Sequence, residues 1–138
     1  MHTEVTFPVP APAPKVWSIL SDVVRWPTWT ASITEVVLDG PLEVGASARI
    51  RQPKLPTTTW IVTEVVPGRS FSWEAKAPGS RSVGEHEITP TGDASCDVRL
   101  MLDQTGPLGN VFGLLYRGLT KRYVQMEADG LTAESTKP

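Results

Sequence analysis

The sequence holds one cysteine and two histidines in 138 residues, and each shortage removes a class of function. Cys96 has no partner for an intramolecular disulfide, and His2 and His86 are too few to assemble a zinc site at ligand spacing, so no metal is expected. Positive charge is also scarce. Thirteen Lys and Arg against fifteen Asp and Glu leave a net charge of −2, which gives no long-range attraction for nucleic acid or anionic lipid. No run of roughly 18 apolar residues occurs, so stable membrane insertion is not expected. The opening Met1-His2-Thr3-Glu4 lacks the basic and then apolar pattern of a secretory leader. Gly106, Gly109 and Gly113 are not followed by the Lys-Ser/Thr of a phosphate loop and do not have dinucleotide spacing, so neither ATP nor NAD is indicated. The expectation is a cytoplasmic protein without cofactor or metal, a monomer or weak dimer.

What is abundant is proline, at 13 residues, and tryptophan, at five. The length fits a single domain over 1–138. Val5, Phe7 and Val9 alternate with polar residues and predict a strand buried on one side, with Pro8 suited to an edge or end. Pro10, Pro12 and Pro14 break it. Val16, Trp17, Ile19 and Leu20 then recur at helical spacing, and Ser21-Asp22 can cap a second short turn that ends at Trp26-Pro27-Thr28-Trp29. Between Ser32 and Gln104, turn signals at Asp39-Gly40-Pro41, Pro53 to Pro56, Pro67-Gly68, Pro78-Gly79 and Pro90 to Asp93 separate six strand-like runs, an antiparallel meander. From Pro107 onward Leu108, Val111, Phe112, Leu115, Leu119, Tyr123 and Met126 predict one long amphipathic helix, with a frayed tail from about 133.

Charge resolves which face of the meander points inward, because an ionised side chain in a dry interior costs several kcal/mol. Arg81, Glu85 and Glu87 put Ser82, Gly84, His86 and Ile88 inside. Glu74 and Lys76 put Phe71, Trp73 and Ala75 inside, and Asp97, Arg99 and Asp103 do the same for Val98, Leu100, Leu102 and Gln104. Arg49 and Arg51 leave Ala48, Ile50 and Gln52 inward. Glu64 sends Ile61, Thr63 and Val65 inward and Trp60 and Val62 outward. The inner face thus mixes aromatic and aliphatic groups with a few uncharged polar ones, as an organic-ligand pocket does. Gly109, Gly113 and Gly118 each cost roughly 1 kcal/mol in a helix interior, which close approach to the sheet or space left for a guest would explain.

The order of strand, Val-Trp-Ser-Ile-Leu-Ser-Asp at 16–22, Trp26-Pro27-x-Trp29, six-stranded meander and closing helix, with Trp60, Pro67-Gly68-Arg69 and Phe71-x-Trp73, resembles the START-like superfamily in its SRPBCC, or polyketide cyclase/dehydrase and lipid-transport, branch. The resemblance covers nearly the whole chain. It implies an α+β helix-grip fold, a curved antiparallel sheet wrapped around a long C-terminal helix with two short helices after the first strand, enclosing an apolar cavity. Members include lipid carriers, hormone receptors and aromatase/cyclases, the last relying on polar groups, often an arginine, inside the cavity. The parity places no arginine on the inner face.

Binding of a hydrophobic or amphipathic small molecule, lipid-like or polyketide-like, follows as the leading expectation. The candidate contacts are Ile50, Gln52, Thr63, Phe71, Trp73, Ser82, His86, Val98, Leu100 and Gln104 from the sheet. From the helix they are Phe112, Leu115, Tyr116, Leu119 and Tyr123. Alternate turns of a meander share one end, so Leu55, Pro56, Pro78 and Leu108 are expected at the cavity mouth. His86 is the one inward group that exchanges a proton near neutrality without a large shift. Catalysis, ligand hydrogen bonding and a satisfied core histidine all remain open for it. The alternatives to a carrier are a cyclase/dehydrase using His86 as acid/base with Gln104 or a tyrosine positioning substrate, and an interaction module with a filled core. Glu74, Glu85, Glu87 and Asp103 are expected in cross-strand ion pairs, Arg117, Lys121 and Arg122 in a solvated stripe, and Cys96 as a small buried residue.

Overall fold

Alternating patterns and proline punctuation translate into strand and helix boundaries in the computed structural model, which describes residues 1–138. Strand β1 covers His2–Val9, with Val5, Phe7 and Val9 turned to one side, and the prolines that end it start helix α1, Ala13–Leu20. Pro14 sits in the first turn of α1, where its missing N–H removes no helical bond. A 3₁₀ turn at Val23–Thr28 follows, buried through Val23 and Trp26.

The meander comprises β2 (Glu35–Leu38), β3 (Ser47–Arg51), β4 (Thr58–Val66), β5 (Ser70–Ala77), β6 (Ser80–Gly92) and β7 (Ser95–Thr105). All neighbours are antiparallel, and β1 closes on β7 to give one seven-stranded sheet in the order β1-β7-β6-β5-β4-β3-β2. The charged parity does face water. Arg99 bridges Glu4 at 3.0 Å and Glu85 at 3.1 Å across three strands, and Arg81 meets Glu74 at 2.7 Å. Opposite them Phe71, Trp73, Gly84, His86, Ile88, Val98 and Leu100 are buried on the concave side.

One strand departs from the charge-based parity. On β4, Val62 pairs with Trp73 while Glu64 pairs with Ser72, so Thr63 is an extra residue in a β-bulge. The bulge resets the alternation: Trp60 and Val62 before it and Val65 after it all turn toward the core. Thr63 and Ile61 are exposed instead of inward, a correction to the parity drawn from Glu64 alone.

The closing helix is also different. It consists of α2, Pro107–Leu115, and α3, Arg117–Ser135, joined at Tyr116, whose φ of −101° and ψ of 14° leave the helical range. The inward face of α2 carries Gly109, Phe112, Gly113 and Tyr116, so Leu108, Val111 and Leu115 turn to solvent, with Leu115 71% exposed. Small residues define that face because the helix lies close to the sheet. A Cβ at Gly113 would come within 2.7 Å of the Met1 side chain, and one at Gly109 within 3.3 Å of Ser80 Oγ. Gly118, by contrast, has open space around it. The C-terminal half of α3 packs on β1 and α1, and it continues past 133 to Ser135, which is fully buried, so fraying does not begin where the composition suggested.

Candidate functional site

Side chains fill the concave sheet at one end and leave it hollow at the other. Val9, Val16, Leu20, Val23, Ile88, Val98 and Leu131 pack solidly beneath α1 and the end of α3. Between α2, the first half of α3 and strands β3 to β7 lies a cavity of about 520 Å³. From the sheet it is lined by Ile50, Gln52, Trp60, Trp73, Ala75, Ser82, Gly84, His86, Leu100, Leu102 and Gln104. The helical side supplies Phe112, Tyr116, Thr120, Tyr123, Val124 and Glu127, and Trp26 and Ile33 close the end nearest the core.

The aromatic wall is continuous. Trp26 stands 5.5 Å from Trp73 and Trp73 stands 5.9 Å from Trp60, between ring centroids. Trp73 needs Gly84 opposite it on β6, since a Cβ there would lie 2.8 Å from the indole nitrogen.

His86 lies in the same wall, stacked on Phe71 at 4.1 Å with the planes 13° apart. Its Nδ1 is 3.2 Å from the Phe71 carbonyl oxygen, which can only accept, so Nδ1 carries the hydrogen and Nε2 the lone pair. Loss of hydration pushes its pKa down to about 4, against a smaller upward pull from that hydrogen bond. At neutral pH the imidazole is therefore uncharged, with Nε2 free of protein partners as an acceptor.

Glu127, on the inner face of α3, is the second lining group whose ionisation the cavity shifts. Dehydration pushes its carboxyl up to about 7, opposed by the neighbouring Ser32 hydroxyl. Nearby, Gln52 donates to the Ser32 carbonyl at 3.2 Å, and the Tyr123 hydroxyl donates to the Pro53 carbonyl. The polar groups thus gather at the end where β3 leaves the sheet, facing the aromatic wall.

Of the residues expected at a ligand, Ile50, Gln52, Trp73, Ser82, His86, Leu100, Gln104, Phe112, Tyr116 and Tyr123 all border the hollow. Five do not. Thr63 is displaced by the bulge, and Phe71 and Val98 are sealed within the solid core beneath the lining. Leu115 faces solvent, and Leu119 lies outside the lining because the break at Tyr116 brings Thr120 and Tyr123 to the inner face. Around the rim, Leu55, Pro56 and Pro78 border the cavity, whereas Leu108 packs over Gly79 at the adjacent turn. Trp26, Trp60 and Glu127 were not expected there. Glu127 follows Tyr116, Thr120 and Tyr123 at helical spacing, a signal masked by the rule that charges face water. Cys96 is buried, with its thiol pushed up by dehydration, and Arg117, Lys121 and Arg122 are exposed.

No helix is long and apolar enough to cross a membrane. Three solved structures illustrate the likeness in fold. A START superfamily protein from Mycobacterium smegmatis is 18% identical with a TM-score of 0.78, covering 97% of this chain and 96% of that one. The ZhuI aromatase/cyclase from Streptomyces sp. R1128 is 18% identical with a TM-score of 0.72, covering 98% and 90%. Truncated norcoclaurine synthase from Thalictrum flavum is 14% identical with a TM-score of 0.77, covering 100% and 94%. Among curated proteins none matches the sequence. The family model described as polyketide cyclase/dehydrase and lipid transport matches residues 1–136, so the curved sheet gripping its C-terminal helices is that of a START-type ligand-binding domain and the chain belongs to this family.

Proposed function

We propose that the protein binds a largely apolar, amphipathic small molecule between the sheet and α2–α3, entering past the rim formed by Leu55, Pro56 and Pro78. The single observation that carries this reading is the hollow of about 520 Å³ walled by Trp26, Trp60 and Trp73, with a few inward polar groups at one end. A core built for an interaction module would fill that space. A guest burying roughly 300 Å² of apolar surface gains about 7 kcal/mol before association costs, so micromolar affinity or weaker is expected.

Native mass spectrometry of freshly purified protein tests it. The expected result is a co-purifying mass lost on denaturation. Protein emptied by solvent extraction should then take up one equivalent of 2-(naphthalen-1-yl)ethanol and quench its tryptophan fluorescence. No uptake at millimolar probe would contradict the reading.

A second reading, a cyclase/dehydrase-type enzyme, is favoured by the unpartnered Nε2 of His86. Held neutral, that nitrogen can take a proton from a substrate, and it would serve as an acid only after doing so. Gln104 and Tyr116 border the same hollow and could orient such a substrate. His86→Ala separates the two: turnover of a polyketide-like substrate falls at least a hundredfold in the enzyme, whereas a carrier keeps its affinity for an apolar probe within a few-fold.

A further inference from the structure

The Glu127 carboxyl stands in the cavity without a cationic partner. None of the ion pairs of the fold includes it. Its one polar neighbour is the Ser32 hydroxyl, which also meets Thr30 Oγ1 at 2.6 Å and is uncharged; Gln52 is engaged with the Ser32 carbonyl and Tyr123 with Pro53. The other ionisable groups bordering the cavity offer no positive charge to it. From β6, His86 is neutral, and Glu85 is held by Arg99 at 3.1 Å. Lys76 of β5, at the rim, pairs with Glu74 at 3.3 Å, and α2–α3 contribute only the phenols of Tyr116 and Tyr123.

A dehydrated carboxylate is costly unless a positive charge meets it, and indole faces attract the same charge through their electron-rich rings. Both features converge on one ligand chemistry. We propose that the guest is an organic amine bound as its ammonium ion, with Glu127 as counter-ion and the tryptophan wall holding its apolar body. The proposal rests on the cavity-binding reading above and adds the charge of the head group. It also gives the inward placement of Glu127 a purpose: with its pKa near 7, the carboxyl of the empty protein is half protonated at neutrality, and the ammonium draws off that proton on entry.

The test compares 2-(naphthalen-1-yl)ethylamine with 2-(naphthalen-1-yl)ethanol by isothermal titration at pH 6 and pH 8, on wild type and Glu127→Gln. The amine should bind wild type about tenfold more tightly at pH 8 than at pH 6, as the ionised fraction of the carboxyl rises, while the alcohol changes little. Glu127→Gln should abolish both that pH dependence and the preference for amine at pH 8 while still binding the alcohol. Equal or tighter binding of the alcohol at both pH values in wild type overturns the amine proposal and leaves the cavity reading standing. So does an amine preference that survives Glu127→Gln. If neither compound binds, both readings fall together. The wild-type comparison needs no variant to fold, and the glutamine is nearly isosteric where one is used.

Discussion

The two ends of the concave sheet solve the same problem differently. At one end α1 and the last turns of α3 press Val16, Leu20, Ala128 and Leu131 onto Val9, Ile88 and Val98, and apolar volume is filled. At the other, α2 touches the sheet through glycine, and the lining of α3 is Thr120, Tyr123, Val124 and Glu127. The same strands run through both. What differs is the side-chain volume that the helices bring, so the difference separates the residues that stabilise the fold from those that shape a site. It also explains how one domain can hold a poorly packed region: the solid end supplies the stability that the hollow end forgoes.

The largest effect expected from this contrast is on stability. Leu131→Ala, at the solid end, should cost about 3 kcal/mol, and Phe112→Ala, over the hollow, under about 1 kcal/mol, measured by urea unfolding. Equal losses would mean that the two ends are packed alike. Next is pH. His86, depressed to about 4, makes the fold lose stability as pH falls from 6.5 toward 4, because the unfolded chain takes up the proton first. Glu127, raised from 4.5 to about 7, acts oppositely, and its contribution is lost as pH rises through that interval. Each is worth about 3 kcal/mol and they offset one another. Wild type should therefore be nearly flat between pH 4.5 and 6.5. Glu127→Gln should gain stability with rising pH there, and His86→Phe should lose it. A third, smaller effect concerns Gly84→Ala, which forces the Trp73 indole aside and should cost about 1–2 kcal/mol with an altered near-UV circular dichroism signal. An unchanged signal would mean that the indole does not lie over β6. Smallest is Ala75→Phe, which fills the hollow: the midpoint should move by under about 0.5 kcal/mol while probe binding disappears. A loss of several kcal/mol would show that no space was there.

The meander, the inward parity of β3 and of β5 to β7, and the placement of His86 were legible because several charges on alternate residues mark the wet face of a strand, whereas the single Glu64 on β4 misled. The bulge at Thr63 was not, since one added residue changes the pairing while leaving no composition signature. Helical register was misjudged for a related reason. Leu108, Val111 and Leu115 outweigh Gly109 and Gly113 in any count of hydrophobicity, yet close approach to Ser80 and Met1 selects the glycines for the buried side. Glu127 is hidden from a sequence reading because the same charge rule that orients the strands excludes an inward, half-buried carboxylate, and functional sites are where such rules are broken. The distinction between lining and sealed positions, Trp73 against Phe71, depends on depth along one face, which alternation does not encode.

The most direct test of the central claim uses the tryptophans as reporters from both ends. Trp60 and Trp73 border the hollow, whereas Trp17 sits against Phe71 at the solid end, 6.3 Å between centroids. Titration with 2-(naphthalen-1-yl)ethanol, followed by the indole N–H resonances in ¹H–¹⁵N spectra, should shift Trp60 and Trp73 together, saturably and at one equivalent, with Trp17 nearly still. Unmoved resonances at Trp60 and Trp73, or equal movement at Trp17, would contradict a ligand-accepting hollow confined to that end of the sheet.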